Sequence, residues 1–264
     1  MTTAKDGQDG RPLLTVADLS VRFGGIVALD GLSFEVRTGE IAGIIGPNGA
    51  GKTTLFNCLS RIYPADRGRI DFAGRSLLGA RAHQVAGLGV GRTFQNVALF
   101  PSLSVFDNVL LGRHCRGRGG FLANALRLPR VARDEDEARE RSREALRFMD
   151  LEDVSARTVS SLPFGTRKRV ELARALASGP RLLLLDEPAS GLNHEEVGAL
   201  GGLIRSIRDR LGVTILLVEH HMNLVMSVSD RVVALDFGRK IADGTPAQVQ
   251  VNPDVVRAYL GVEA

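Results

Sequence analysis

The chain has 264 residues, and its apolar content of 44% is enough to bury the core of one large domain or of one domain with an attached lobe. Its apolar runs fall far short of the ~18 residues that a membrane-spanning helix needs, and its two cysteines exclude a disulfide framework. The net charge of +4 would suit nucleic acid or anionic lipid but selects neither, and the polar leader 1–12 lacks the apolar stretch of a secretion signal, so we expect a cytoplasmic protein.

The first part of the chain is predicted to be rich in strands. Apolar and alternating runs bounded by turn residues predict four of them, at Leu13–Phe23, Val27–Val36, Ile41–Ile45 and Gly68–Phe72. The second is expected to be interrupted by a turn at Asp30-Gly31. We expect these short strands to form an antiparallel sheet laid against a parallel core. Residues Ala82–Gly91 predict a short helix that runs into a loop or strand.

A glycine-rich segment between the strand Ile41–Ile45 and a predicted helix indicates phosphate binding. Its sequence fits the pattern G-x-x-x-x-G-K-[ST] at every fixed position and reads Gly46-Pro47-Asn48-Gly49-Ala50-Gly51-Lys52-Thr53-Thr54. Glycines let backbone N–H groups converge on phosphate oxygens, and the following helix presents its positive end to the same anion. Lys52 is predicted to meet the β- and γ-phosphates and Thr53 to bind Mg²⁺. The segment therefore predicts a site for a nucleoside triphosphate.

The middle of the chain is predicted to be helical. A helix at Val105–Leu111 is followed by an Arg/Gly-rich loop at Arg113–Gly120 and by a charged helix at Arg133–Met149. In the charged helix, spacing of i,i+4 predicts two ion pairs, Glu135 with Arg139 and Glu137 with Arg141. One buried stripe is expected on this helix, made of Ala138, Ala145, Leu146 and Met149.

Helices and strands alternate again in the last part of the chain, which predicts a parallel sheet covered by helices. The predicted helices are Thr166–Ser178, Glu195–Leu211 and one that begins at Thr245-Pro246. The predicted strands are Leu182–Leu185, Val213–Val218 and Val232–Leu235.

Two acids follow the strand Leu182–Leu185, at the sheet edge where open α/β sheets bind ligands. Asp186 is predicted to hold Mg²⁺ through water, and Glu187 to polarise an attacking water molecule. Beside a phosphate-binding loop, this pair predicts the acidic half of a nucleotide-hydrolysing site.

The order of these segments, from about Leu13 to Leu260, resembles the ATP-binding subunits of ABC transporters. Besides the two Walker motifs, five features are similar to those of the family. They are Phe23 (adenine stacking), Gln95 in Gly91-Arg92-Thr93-Phe94-Gln95 (Q-loop), Leu162-Pro163-Phe164-Gly165-Thr166 (signature), Ala189-Ser190-Gly191-Leu192-Asn193 (D-loop) and His220 (switch histidine).

The resemblance implies an α/β fold: a P-loop NTPase core, mainly a parallel sheet with flanking helices, with an antiparallel β subdomain and an inserted α-helical subdomain. It implies one ATPase domain at 13–264, in which 13–95 and 166–264 form the nucleotide-binding core and 96–165 the helical subdomain. ATP and Mg²⁺ are the implied cofactors. Gln95 is implied in metal binding and, with Glu187 and His220, in catalysis. His221 is expected to point away from the site and to be structural.

Two of the motifs depart from the family's pattern. In the signature, Pro163 and Phe164 replace serine and glycine and Thr166 replaces glutamine, so the serine contact to the γ-phosphate is missing. Gly165 and the following helix N-terminus keep backbone donors for that phosphate. In the D-loop, Asn193 replaces the usual aspartate.

Within the family, the chain resembles the ATPases of branched-chain amino-acid importers, through Arg22-Phe23-Gly24-Gly25, Glu219-His220-His221-Met222 and the tail 252–261. Related urea and amide importers share much of this. The implied partners are integral-membrane permease subunits that dock beside Gln95, a second identical or paralogous ATPase, and indirectly a substrate-binding protein. The chain is then peripheral, on the cytoplasmic face of the plasma (inner) membrane.

Two other classes of protein fit the sequence less well. An ABC-type ATPase acting on nucleic acid gains slight support from the pI of 9.5 but would carry a coiled-coil or cysteine-rich insertion, which this sequence lacks. A nucleotide kinase would need only the P-loop and would not explain the other motifs in order. We therefore expect no nucleic-acid partner.

Overall fold

The computed structural model describes residues 12–94, 97–114 and 129–260. The strands in these ranges are β1 (Leu14–Phe23), β2 (Ile26–Val36), β3 (Ile41–Ile45), β4 (Arg67–Phe72), β5 (Arg75–Ser76), β6 (Val90–Arg92), β7 (Leu182–Asp186), β8 (Thr214–Val218), β9 (Arg231–Asp236) and β10 (Arg239–Gly244). The α-helices are α1 (Lys52–Leu59), α2 (Ala82–Leu88), α3 (Val105–Leu111), α4 (Pro129–Phe148), α5 (Phe164–Ala177), α6 (His194–Leu211), α7 (Met222–Val228), α8 (Pro246–Gln250) and α9 (Pro253–Leu260).

The larger sheet has six strands in the order β10-β9-β3-β8-β7-β6, and all but β10 run parallel. Every residue of β3, β7 and β8 is buried, as expected for strands covered by helices on both faces. The carboxyl ends of these three strands meet at one edge of the sheet: the glycine-rich loop follows β3, Asp186 ends β7, and His220 lies just beyond β8. This arrangement confirms the predicted parallel core.

The smaller sheet is antiparallel, in the order β2-β1-β4-β5. The interruption predicted at Asp30-Gly31 is wrong, because β2 continues through both residues. Leu19 and Val21 of β1 pair with Leu32 and Leu29, so β2 holds one extra residue at this point. The turn residues Asp30-Gly31 therefore lie in a β-bulge, which bends the strand without ending it.

A core cluster that contains residues of both sheets includes the apolar face of α1. Phe56, Cys58 and Leu59 of this helix are fully buried against residues of both sheets. Burial raises the pKa of the Cys58 thiol to about 11, so it is protonated at neutral pH and packs as a small apolar side chain. The helix that follows the glycine-rich loop is thus held rigidly at its far end.

The helical region contains α3 and α4, and its charge pattern differs from the prediction. The pairs Glu135/Arg139 and Glu137/Arg141 do not form. Instead, Arg141 binds Glu144 at 3.0 Å, and Glu137 binds Arg113 of the segment after α3 at 3.1 Å. Exposed side chains have several partners within reach, so spacing along one helix does not select among them.

The predicted apolar stripe of α4 is confirmed at Ala145, Leu146 and Met149, which are buried, whereas Ala138 is half-buried. None of the helices that the structure describes is both long and apolar enough to cross a membrane. Most of the predicted Arg/Gly-rich loop lies outside the described residues. The division into 13–95, 96–165 and 166–264 stays a prediction.

Helix starts agree with the sequence where a capping side chain marks them. Ser104 accepts the Asp107 N–H at 3.0 Å, and the Thr245 side chain caps α8 with Pro246 at its first position. Other elements differ from the prediction: α5 begins at Phe164, two residues earlier than expected, and β5, α7, α9 and the polar strand β10 were not predicted.

Candidate nucleotide site

The glycine-rich loop joins β3 to α1 and is pressed against two other strands. A side chain at Gly46 would place its Cβ 2.2 Å from the carbonyl oxygen of Leu235, and one at Gly51 would lie 2.5 Å from that of Ala28. Gly51 also has a φ of 98°, in the left-handed region. These glycines are therefore required by the packing of the loop itself, in addition to any phosphate that it binds.

Lys52 lies curled into the loop. The residue is almost fully buried, and its ammonium group donates to the carbonyl oxygens of Gly46 at 2.6 Å and Pro47 at 2.9 Å. Burial lowers the pKa of Lys52, and the negative charge of Glu187 acts in the opposite direction. Thr53, in the first turn of α1, is exposed, so its hydroxyl is accessible to a ligand.

Asp186 ends β7 and is buried against Arg92 of β6, which the sequence did not single out. The guanidinium donates to the Asp186 carboxylate at 2.8 Å and also to the Phe56 carbonyl and to the Asn57 and Ser60 side chains. Burial raises the pKa of Asp186, while the bond and charge of Arg92 lower it. Arg92 thus fixes this carboxylate to the far end of α1.

Glu187 and His220 lie together at the same sheet edge. The Glu187 backbone takes a φ of 46°, and its N–H donates to the carbonyl of Val218, the last residue of β8. His220 Nδ1 is 3.7 Å from a Glu187 carboxylate oxygen, and half of its side-chain surface is exposed. An acid and an imidazole at this distance can act on one water molecule between the sheet edge and the loop.

The expected orientation of His221 is wrong. Its ring lies beside that of His220, with centroids 4.7 Å apart, because α7 begins directly after His221 and the strand has already ended. Successive side chains point to opposite faces only within a strand.

Glu219 was also missed by the sequence analysis. It is fully buried, and its carboxylate accepts the N–H groups of Ala189 at 2.7 Å, His220 at 3.1 Å and His221 at 3.3 Å. An acid directly after a buried strand was the pattern used for Asp186 and could have indicated Glu219. Its role here is to fasten two loops together.

The signature-like and D-loop-like segments form a second group. The Phe164 ring covers Gly191, and the Asn193 side chain accepts the Glu196 N–H at 3.0 Å and so caps α6. Leu162 is buried in the core, whereas Pro163 is exposed at the start of α5. Within the described residues, no hydrogen bond joins this group to the glycine-rich loop.

Two further predicted residues have different outcomes. Phe23 is 44% exposed and touches Tyr63 edge-on, with ring centroids 5.1 Å apart, so one face is available for stacking. Gln95 lies outside the described residues.

The fold and this sheet edge define a nucleotide-binding protein of the P-loop class. Residues 29–190 match the family model described as ABC transporter, and residues 239–264 match the model described as branched-chain amino acid ATP-binding cassette transporter. The chain belongs to the ABC transporter family and is an ATP-binding ATPase of that family.

Relatives match over almost the whole chain. The high-affinity branched-chain amino acid transport ATP-binding protein BraF of Pseudomonas aeruginosa is 43% identical over 95% of this chain and 98% of BraF. LivG of Escherichia coli, described in the same words, gives the same figures. The methionine import ATP-binding protein MetN of Rhizobium etli is 38% identical over 94% of this chain and 66% of MetN.

Solved structures agree with the fold. An ATP-binding cassette of an ABC transporter in its ADP conformation has a TM-score of 0.83 and 29% identity, over 96% of this chain and 100% of that one. A dimeric cassette in a post-hydrolysis state, bound to ADP and Pi, has a TM-score of 0.73 at 23% identity, which shows the fold alone.

Proposed function

We propose that this chain powers the import of branched-chain or other hydrophobic amino acids, as the ATP-hydrolysing subunit of a membrane transporter. The observation that carries the substrate class is the 43% identity to BraF and LivG along nearly the entire chain. The match of the tail 239–264 supports the same branch of the family. The chain would act as a peripheral subunit on the cytoplasmic face of the inner membrane.

ATP is proposed to bind along the sheet edge, with its adenine on Phe23 and its β- and γ-phosphates in the loop 46–54. The loop's N–H groups, the α1 N-terminus and Lys52 would face those phosphates. Lys52 would move its donors from the loop carbonyls towards the phosphate oxygens, a short displacement because both lie in the same concavity.

Mg²⁺ fits the oxygen donors at this edge. The exposed hydroxyl of Thr53 and the carboxylate of Asp186, of which Arg92 binds one oxygen, are the hard ligands that this ion prefers. Gln95 is the further proposed ligand. The ion would neutralise charge on the β- and γ-phosphates.

Hydrolysis is proposed to depend on Glu187 as the general base. Its carboxylate would orient and polarise the water that attacks the γ-phosphorus. His220, whose Nδ1 is 3.7 Å from that carboxylate, would contact the γ-phosphate next to the same water. The backbone of Glu187 is held by Val218, so its position is fixed by the central sheet. Gln95 would sense the same phosphate.

The signature-like surface is proposed to close over ATP held by a second ATPase subunit, identical or paralogous. The first-turn N–H groups of α5 have no acceptor within their own helix, and neither Pro163 nor an acidic residue of the same turn caps them. The carboxylate of Glu196 on α6 lies beside Gly165, so it would have to turn aside for these N–H groups to donate to the γ-phosphate of the partner's nucleotide.

We expect the isolated subunit to dimerise weakly with ATP, because Pro163 supplies neither a hydroxyl nor an N–H group at the signature position. A hydrogen bond to a charged group contributes about 1.5–3 kcal/mol, enough to change a dimerisation constant about tenfold or more. Pro163→Ser should strengthen ATP-driven self-association. The measurement is the ATP-dependent monomer–dimer equilibrium by sedimentation, in a Glu187→Gln background that prevents turnover.

Ser161→Ala is the matched control, since its exposed hydroxyl bonds locally to the Thr158 carbonyl. A tight dimer of the unsubstituted protein, unaltered by Pro163→Ser, would contradict the expectation.

An apolar groove between the core and the helical region is the proposed permease contact. It has a volume of about 600 Å³, and its lining includes Phe94 and Ala98, which lie on either side of Gln95 in the sequence. Its rim carries exposed apolar side chains: Ile62, Phe94, Phe100 and Leu111. A helix of an integral-membrane subunit would bury these side chains. A substrate-binding protein would join the assembly on the other side of the membrane.

The test of the proposed function is co-purification and transport. The chain should co-purify from detergent with integral-membrane subunits and, in vesicles, drive ATP-dependent uptake of labelled leucine in preference to urea. Phe100→Asp should reduce the amount of co-purified permease about tenfold or more, which is the loss of affinity expected when a residue at the centre of an interface is replaced. Val251→Asp, which charges an exposed apolar side chain outside the groove, should leave it unchanged. Uptake of urea alone would overturn the substrate class.

A further inference from the structure

The C-terminal helix α9 reaches the glycine-rich loop through one side chain. The Tyr259 hydroxyl accepts the backbone N–H of Gly46 at 2.7 Å, across 213 residues of sequence. Burial of the phenol raises the pKa of Tyr259 to about 12, so the hydroxyl keeps its proton at physiological pH. The contact is thus between a neutral hydroxyl and the first residue of the loop.

Gly46 is constrained on three sides in this structure. Its N–H is bound by Tyr259, its carbonyl accepts from Lys52 at 2.6 Å, and its Cα is so close to the Leu235 carbonyl that no side chain fits. The same residue therefore sets the direction in which the loop leaves β3 and supplies an acceptor for the catalytic lysine.

The position of Tyr259 is itself fixed by its helix. The Asn252 side chain accepts the Asp254 N–H at 2.9 Å and so caps the start of α9. Val255 is buried, and Tyr259 lies four residues later, on the same helix face. The packing of α9 against the core through Val255 therefore holds the hydroxyl of Tyr259 next to Gly46.

We propose that Tyr259 is a positioning residue for the nucleotide, because its hydroxyl holds the entry of the glycine-rich loop in the conformation that faces the phosphates. This inference rests on the proposed nucleotide site. It gives the tail 239–264, which lies outside the segment matched by the general ABC transporter model, a part in phosphate binding.

Tyr259→Phe tests the inference, because it removes the hydroxyl and keeps the ring. A buried N–H left without an acceptor is costly, so the loop should shift to find another partner. We expect about threefold to tenfold weaker binding of ATP and of ADP, which share the β-phosphate, from the typical worth of one hydrogen bond. Hydrogen exchange of the Gly46 amide, followed by NMR on glycine-labelled protein, should become faster.

Arg257→Gln on the same helix is the matched control, since Arg257 is exposed and pairs only locally with Asp254 among the described residues. It should leave both nucleotide affinities unchanged. The melting temperature without nucleotide separates folding from positioning. A lower melting temperature of Tyr259→Phe with unchanged ATP and ADP affinity would overturn the proposal.

A third variant separates this inference from the nucleotide site itself. If the wild-type chain binds ATP and Lys52→Ala does not, the site stands, and only the role of Tyr259 depends on the Tyr259→Phe result. If the wild type binds no ATP, both proposals fail.

Discussion

Lys52→Ala should abolish ATP binding or reduce hydrolysis by about 10²–10³, the range seen when one charge-stabilising group is removed from an active site. The ammonium group is buried at the centre of the loop and bonds to Gly46 and Pro47. Its removal therefore leaves the phosphates without their nearest compensating charge and also loosens the loop. The measurements are ATP affinity of the isolated chain and turnover in the assembled transporter.

Lys240→Ala is the control for this prediction, because Lys240 is a partly exposed lysine paired with Asp243 on β10. It removes the same charge outside the loop and should change neither quantity. Near-normal turnover of Lys52→Ala in the complex would rule out the proposed role of the glycine-rich loop.

Glu187→Gln should retain ATP binding but slow hydrolysis by about 10² or more, the scale of general-base loss. The amide keeps the shape of the side chain, and the backbone bond to Val218 is unaffected, so the site should stay intact around an unreactive water. In the assembled transporter, the expected product is an ATP-loaded, long-lived closed dimer. It is measured by single-turnover hydrolysis and by nucleotide retention after gel filtration.

Glu195→Gln makes the same chemical change at an exposed position in the first turn of α6 and should hydrolyse ATP at the wild-type rate. If Glu187→Gln also hydrolyses ATP normally, the base lies elsewhere. His220, the imidazole beside it, is then the next residue to replace.

The features that were predicted correctly are those that a short stretch of consecutive residues is enough to indicate. The glycine-rich loop, the strand before it and the acids after Leu185 are each contained in fewer than ten consecutive residues, and buried strands show as apolar runs. The same is true of the helix starts marked by Ser104 and Thr245.

The features that were missed depend on partners far away in sequence. The role of Arg92 depends on its bond to Asp186, 94 residues later, and the role of Tyr259 depends on its bond to Gly46, 213 residues earlier. Strand β10 is polar and exists because β9 offers it an edge. The bulge in β2 is set by pairing with β1, so the turn residues Asp30-Gly31 alone could not distinguish it from a chain reversal.

One buried carboxylate, that of Glu219, has a mechanical consequence for the catalytic cycle. It is tied at once to the backbone of Ala189, three residues before Leu192, and to the backbone of His220. A partner subunit that pushes on the loop of Ala189 would pull on the same carboxylate that binds the backbone N–H of His220. We therefore expect the two loops to travel together, so that contact across a dimer adjusts the distance between His220 and Glu187 without any side chain crossing the interface.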